Sequence, residues 1–153
     1  MFTVEEIPES RIAYWRRTGP YGEANGAQME SFTSWAAANG LLRAGSTVLG
    51  IARDDPGSTP ARDCRYDTCV VLPDNAGLRH PEALEALEAR LDGGRHAVLT
   101  VAHTPEGLAS AWTGLFENLA AHGLAFDPTR PVLERYRPRL LAEHLCEVCV
   151  PVR

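Results

Sequence analysis

Ile7-Pro8-Glu9-Ser10-Arg11-Ile12-Ala13-Tyr14-Trp15-Arg16-Arg17 reads as a strand, and 84 positions further on the chain returns to it. There Arg95 and Ala97 stand where Arg11 and Ala13 stood, inside a second strand-like stretch, Arg95 to Val101. The segments beyond the two stretches are also alike. After the first come a turn-rich Gly19-Pro20-Tyr21-Gly22 and a helical pattern from about Ala24 to Asn39. Met29, Phe32 and Ala36 share one face of that helix at spacings of three and four, with Trp35 beside them. Gly40 falls where a left-handed cap would end it. Two strands come next, Val48 to Arg53 and Tyr66 to Leu72, separated by an Asp-, Pro-, Gly- and Ser-rich loop from Asp54 to Arg62.

The second half keeps the order. Thr104 is a good N-cap, with Pro105 at the first helical position. Leu108, Trp112, Leu115, Phe116 and Leu119 trace one helical stripe, which predicts a helix running to Gly123. Gly40-Leu41 recurs as Gly123-Leu124 at an offset of 83, and strands Pro131 to Arg137 and Leu145 to Val152 close the chain. This predicts an α+β fold. It consists of tandem strand–helix–strand–strand modules, roughly residues 1–73 and 87–153, related by a pseudo-twofold axis. An antiparallel sheet carries two main helices in a single domain, 1–153. A cleft between two such modules is a natural ligand site. Pro81 to Leu91 reads two ways. Leu84, Leu87 and Leu91 fit a short helix, whereas the internal repeat makes Leu87 to Leu91 a strand.

Composition narrows the function classes. The chain has 153 residues with 44% hydrophobic and 23% charged, a balance that supports a packed core without disulfides. No apolar run approaches the roughly 18 residues of a membrane helix. The opening Met1-Phe2-Thr3-Val4-Glu5-Glu6 lacks the basic and apolar regions of a signal peptide, so a cytoplasmic location and no membrane partner are expected. Net charge is −5, and the nearest approach to a basic cluster, Arg135, Arg137 and Arg139, is diluted by Pro138 and neighbouring acids. Direct nucleic-acid binding is therefore not expected. All 15 basic residues are arginine. The absence of lysine excludes Schiff-base chemistry and a phosphate-loop lysine within this chain. Cys146 and Cys149 have a zinc-like spacing, but on a strand they face opposite ways. Cys64 and Cys69 complete the set, and all four are expected as free thiols, with no metal and no cofactor.

Glu134 carries the most information. Strand alternation places it on one face with Val132 and Tyr136, an unusual setting for an acid, since burying it unpaired is costly. It pairs with an arginine such as Arg65 or Arg95, or lies exposed on an edge, or is held for a ligand. Trp112 is either core or a stacking wall for a flat ligand, and Phe116 shares its stripe. Tyr66 is either a satisfied core tyrosine or a pocket donor. Tyr14, Trp15 and Trp35 read as structural. The chain has no nucleophile elbow, zinc-protease helix, dinucleotide fingerprint or phosphate loop. His80, His96, His103, His122 and His144 are scattered, and Asp54-Asp55 before Pro56 suggests turn chemistry.

Several stretches together resemble the GyrI-like family. They are Arg17-Thr18-Gly19-Pro20-Tyr21, Leu49-Gly50-Ile51 with Asp54-Asp55-Pro56, and Arg65-Tyr66-Asp67 with Cys69-Val70. Gly93-Gly94-Arg95-His96-Ala97-Val98 and Pro131-Val132-Leu133-Glu134-Arg135-Tyr136 complete the set. That family includes gyrase-inhibitory proteins and the effector-binding domains of AraC- and MerR-type regulators. The resemblance implies a central pocket for hydrophobic, often cationic compounds, with the pocket acid at Glu134. Trp112, Tyr66, Tyr136 and Phe116 are the candidate aromatic walls. It implies DNA gyrase as a candidate protein partner, and a monomer or weak homodimer is expected. With no residues left for a helix-turn-helix, a stand-alone binding domain is the primary expectation. Some members of the family look like hydrolases that open cyclopropane-bearing DNA alkylators. The alternative is therefore a hydrolase in which Glu134 is the key acid–base group; on the binder reading no residue is catalytic.

Overall fold

The computed structural model describes residues 2–73 and 86–153. Eight strands form one antiparallel sheet: β1 Thr3–Ile7, β2 Ser10–Thr18, β3 Val48–Ala52, β4 Arg65–Val71, β5 Leu87–Leu91, β6 Gly94–Ala102, β7 Leu133–Tyr136 and β8 Leu145–Pro151. Among the described residues, four α-helices accompany them: α1 Glu23–Ala38, α2 Pro105–Trp112, α3 Leu115–Ala121 and α4 Pro138–Leu141. The strand order is β1-β6-β8-β7-β3-β4-β2-β5. Exchanging β1, β2, β3 and β4 with β5, β6, β7 and β8 gives the same order read from the other edge, as a twofold requires. The axis of that exchange runs between β7 and β3, where Gly50 is the register partner of Glu134. The α+β architecture and its pseudo-twofold arrangement thus agree with the sequence pattern.

The expected strand from Ile7 to Arg17 is two strands. Pro8 has no N–H to give a ladder, and the chain turns at Pro8-Glu9. β1 leaves to pair with β6 of the second half, while β5 pairs with β2 of the first. Leu87–Leu91 is therefore a strand, as the repeat implied and the helical reading did not. The remainder of that ambiguous segment, 81–85, lies outside the described residues, as does His80. The two short turns meet: a Cβ on Gly93 would lie 2.4 Å from the Ile7 carbonyl oxygen and 2.4 Å from the Glu9 nitrogen. Only glycine lets the turns approach so closely. The sheet therefore curls, and Ile12, Leu91, Val98 and Cys149, from well-separated strands, share one core cluster on its inner face.

The opposite face carries the helices. Phe32 and Ala36 of α1 pack on Ala13 and Val70, and Leu115 and Leu119 of α3 pack on Ala97, Val148 and Val150. Thr104 caps α2 as expected, accepting a hydrogen bond from the Gly107 N–H at 2.9 Å. The predicted helix through Gly123 is interrupted, however. Gly114 adopts φ 69°, ends the run after Trp112 and starts α3 afresh. The short α4 has no periodic signal long enough to announce it. Cys146 and Cys149 do face opposite sides, in different core clusters.

The inner face also holds two ion centres. Asp67 receives Arg16 at 2.8 Å and Arg53 at 2.9 Å. Glu147 receives Arg135 at 2.9 Å and Arg137 at 2.8 Å, and Arg135 reaches on to Glu5 of β1 at 2.7 Å. Arg135 and Arg137, the nearest approach to a basic cluster, are thereby neutralised within the fold.

Candidate ligand-binding site

β7 lies near the middle of the sheet, and alternation divides its residues cleanly. Leu133 and Arg135 face the inner side, while Glu134 and Tyr136 face the helices. Glu134 is only 9% exposed. Its carboxylate accepts hydrogen bonds from two phenols: the Tyr136 hydroxyl to Oε2 at 2.9 Å and the Tyr66 hydroxyl to Oε1 at 3.4 Å. Neither arginine weighed as its partner reaches it. Arg65 is bound to Asp54 at 2.8 Å, and Arg95 donates to the Arg153 carbonyl. Among the described residues no cation forms an ion pair with Glu134, and it is not exposed on an edge.

This leaves an acid whose charge is stabilised only in part. Burial pushes the Glu134 carboxyl above its usual range, and the two hydroxyl donors pull it back. Burial, with the nearby Glu134 charge, pushes both tyrosines upward, so they remain protonated donors. Buried charges normally have a counter-ion. Here the polar site opens instead into a cleft of about 2090 Å³ between the helical elements of the two halves. That is roughly twice the upper range of typical small-ligand pockets, so a drug-sized molecule has room.

The cleft contains every aromatic residue singled out for it. Tyr66 and Tyr136 form the floor beside Glu134. Trp112 is half-buried: one side packs on the core cluster beneath α2 and α3, and the ring also lines the cleft. Phe116 is 45% exposed, a large apolar ring that folding leaves uncovered. Its centroid lies 4.7 Å from that of Phe126, which extends the same shelf. Tyr14, Trp15 and Trp35 lie outside the cleft lining, and Trp15 and Trp35 pack with Phe32 under α1.

Three aromatic lining residues escaped the sequence reading. Phe126 sits in an irregular segment with no period, tied to the sheet by one bridge to Val152. Tyr21 was visible only as part of a turn. Its hydroxyl donates to the Arg65 carbonyl at 2.7 Å, and its ring stands 6.3 Å from that of Tyr66. His103 lies 5.4 Å, ring to ring, from Tyr136. Its position ahead of Thr104 gave no hint, because the contact is across 33 residues. Asp55 does make the expected turn, accepting from the Gly57 N–H at 2.8 Å. Among the described residues, no group of three His, Cys, Asp or Glu side chains is arranged to hold a metal ion. None of the described helices is long and apolar enough to cross a membrane.

A curled sheet with two helical flanks and an open, largely apolar cleft around one buried acid defines a small-molecule-binding class of protein. The chain belongs to the GyrI-like small molecule binding domain family, whose profile matches residues 1–153. It is 41% identical over 152 residues to YosT, an SPbeta prophage-derived candidate transcriptional regulator of Bacillus subtilis, covering 99% of this chain and 98% of that one. It is 29% identical over 141 residues to a DNA gyrase inhibitor of Edwardsiella ictaluri, covering 90% and 88%. The same fold occurs in the EcmrR C-terminal domain, with a TM-score of 0.72 at 13% identity over 100% of this chain and 97% of that one. In EcmrR bound to DNA, the match spans 57% of the EcmrR chain, with a TM-score of 0.74. SAV2435, solved with tetraphenylphosphonium, matches with a TM-score of 0.58 at 11% identity, over 100% of this chain and 94% of that one.

Proposed function

We propose that the cleft captures a hydrophobic organic cation, with Glu134 as counter-charge and Trp112, Phe116, Tyr66 and Tyr136 as walls. The observation that carries this reading is the buried Glu134 carboxylate. It has two phenol donors and no described cation partner, and it faces an aromatic cleft. A ligand cation supplies the missing charge, and the aromatic rings hold it by burial and cation–π attraction. Tetraphenylphosphonium is a suitable probe, because its charge is permanent and its surface is aromatic; its presence in the SAV2435 structure adds support. Calorimetric titration of wild type and Glu134→Gln tests the reading. Saturable binding that weakens in the variant is expected, and equal binding by both proteins would overturn it. Kinship with a gyrase inhibitor supports DNA gyrase as a protein partner, which a supercoiling assay with added protein tests.

A further inference from the structure

Gly50 stands in the interior of β3, where a glycine weakens a strand and leaves nothing to pack. Its backbone does not require one: φ at Gly50 lies outside the left-handed region. The reason is spatial. Tyr66 pairs with Ala52 from β4 on one side of β3, and Glu134 pairs with Gly50 from β7 on the other. For its hydroxyl to reach the carboxylate, the Tyr66 phenol must cross β3, and it crosses at residue 50. A Cβ there would lie 2.2 Å from the Tyr66 hydroxyl oxygen, 3.1 Å from its Cζ and 3.4 Å from Met29 Cε. The first distance is far inside contact, so the phenol would have to move.

We propose that Gly50 is a positioning residue for the cation site: the slot left by its missing side chain is what brings the Tyr66 hydroxyl onto Glu134. This rests on the reading of Glu134 as the station for a ligand cation. The pseudo-twofold gives the slot a further meaning. Gly50 and Glu134 are 84 positions apart and face each other in register on the axis. One half of the repeat contributes the acid and the other contributes the space that lets a donor reach it.

Replacing Gly50 by Ala displaces the phenol and leaves the carboxylate with Tyr136 as its one remaining phenol donor. The ionised form is then less stabilised, so Glu134 holds its proton to higher pH, and cation binding requires higher pH. The other groups around the carboxylate stay constant across the variants. Tyr136 remains on β7. Cys146 of β8 has its thiol pushed up to about 11. Arg17 acts on Tyr66 from β2, and the His103 ring lies tilted against Tyr136. The facing side chain of α1 is Met29, which is uncharged.

The experiment compares wild type, Gly50→Ala, Tyr66→Phe and the double variant. Tetraphenylphosphonium affinity is measured from pH 4 to 9, and the Glu134 carboxyl is titrated by carbon-13 NMR in ligand-free protein. Each single change is expected to move both midpoints upward by about half to one pH unit, the scale of one ordinary hydrogen bond, because the Tyr66 contact is long at 3.4 Å. The double variant should move no further than Tyr66→Phe. A merely structural role for Gly50 would instead give additive losses with an unmoved midpoint, and that overturns the inference. So does a Glu134 titration in Gly50→Ala that coincides with wild type. If wild type fails to bind the probe, the cation reading falls, while the carboxyl titration still decides the role of Gly50. If Gly50→Ala alone does not fold, the double variant, which lacks the oxygen that would be struck, is expected to fold; its failure to fold also overturns the inference.

Discussion

Replacing Glu134 by Gln separates what the acid does for a ligand from what it does for the fold. Gln keeps the shape and one carbonyl acceptor, and one tyrosine hydroxyl can rotate to accept from the new amide. The charge alone is lost. A phosphonium centre about 5 Å from the carboxylate gains roughly 3 kcal/mol at an effective dielectric constant of about 20. Allowing for the open mouth of the cleft, a loss of about 2–3 kcal/mol is expected, or a rise in Kd of about 30- to 150-fold. A neutral aromatic ligand such as triphenylphosphine oxide should lose less than about threefold. The stability effect has the opposite sign. The folded carboxyl titrates above its unfolded value, so its contribution to stability is full below about pH 4.3 and is lost as pH rises through the folded midpoint. Above that midpoint, ionised Glu134 is therefore a cost that Gln removes, and there the variant should melt no lower than wild type. Its melting advantage should grow as pH rises from about 4.3. Calorimetry with both ligands and thermal melts across pH check both halves. Equal loss for the charged and neutral ligands, or a large drop in melting temperature, would refute the reasoning.

Three further outcomes rest on the same geometry. Glu147→Ala takes the bidentate partner from Arg135, which is 8% exposed at its side chain and keeps only Glu5, and removes a partner from Arg137; this should cost about 2–3 kcal/mol in urea unfolding, less than the about 3–5 kcal/mol of a wholly unpaired buried charge, with little change in probe affinity where the variant is fully folded. Arg135 and Arg137 are neutralised internally and net charge is −5, so a gel shift with duplex DNA at physiological salt should show no retention by this chain. Wild type incubated with a cyclopropane-bearing alkylator should leave it intact; repeated turnover, lost in Glu134→Gln by roughly 10²-fold or more, would establish a hydrolase instead.

The sequence made the centre of this molecule legible because its signals there are local. Alternation on β7 needs only a few residues to put Glu134 beside Tyr136, and a single Gly-Gly turn fixes where β6 begins. The stripe through Leu108, Leu115 and Leu119 was equally plain, yet it overran its helix, because one left-handed glycine at 114 reorients a chain whose hydrophobic period barely changes. What stayed hidden was set by distance. The exchange of β1 and β5 between halves depends on pairings such as Thr3 with Val98 and Tyr14 with Leu87, 95 and 73 residues apart, and periodicity is silent about partners. Phe126 and His103 join the cleft through contacts with no sequence neighbourhood at all.

The same distinction explains why Glu134 could be singled out but not interpreted from sequence. An acid between Val132 and Tyr136 announces a conflict between local pattern and burial, and three resolutions were open. The choice among them depends on what stands across the sheet. With Arg65 taken by Asp54 and Arg95 by the Arg153 carbonyl, the partners among the described residues are two phenols, one of which arrives over a glycine. Hydroxyl donors hold a carboxylate without cancelling its charge. An arginine in that place would have made a structural ion pair, as at Asp67 and Glu147 on the other face. The buried acids thus divide: Asp67 and Glu147 are held by arginines, whereas Glu134, on the cleft side, is held by tyrosine hydroxyls. That division supports the reading that the charge of Glu134 is kept for a ligand.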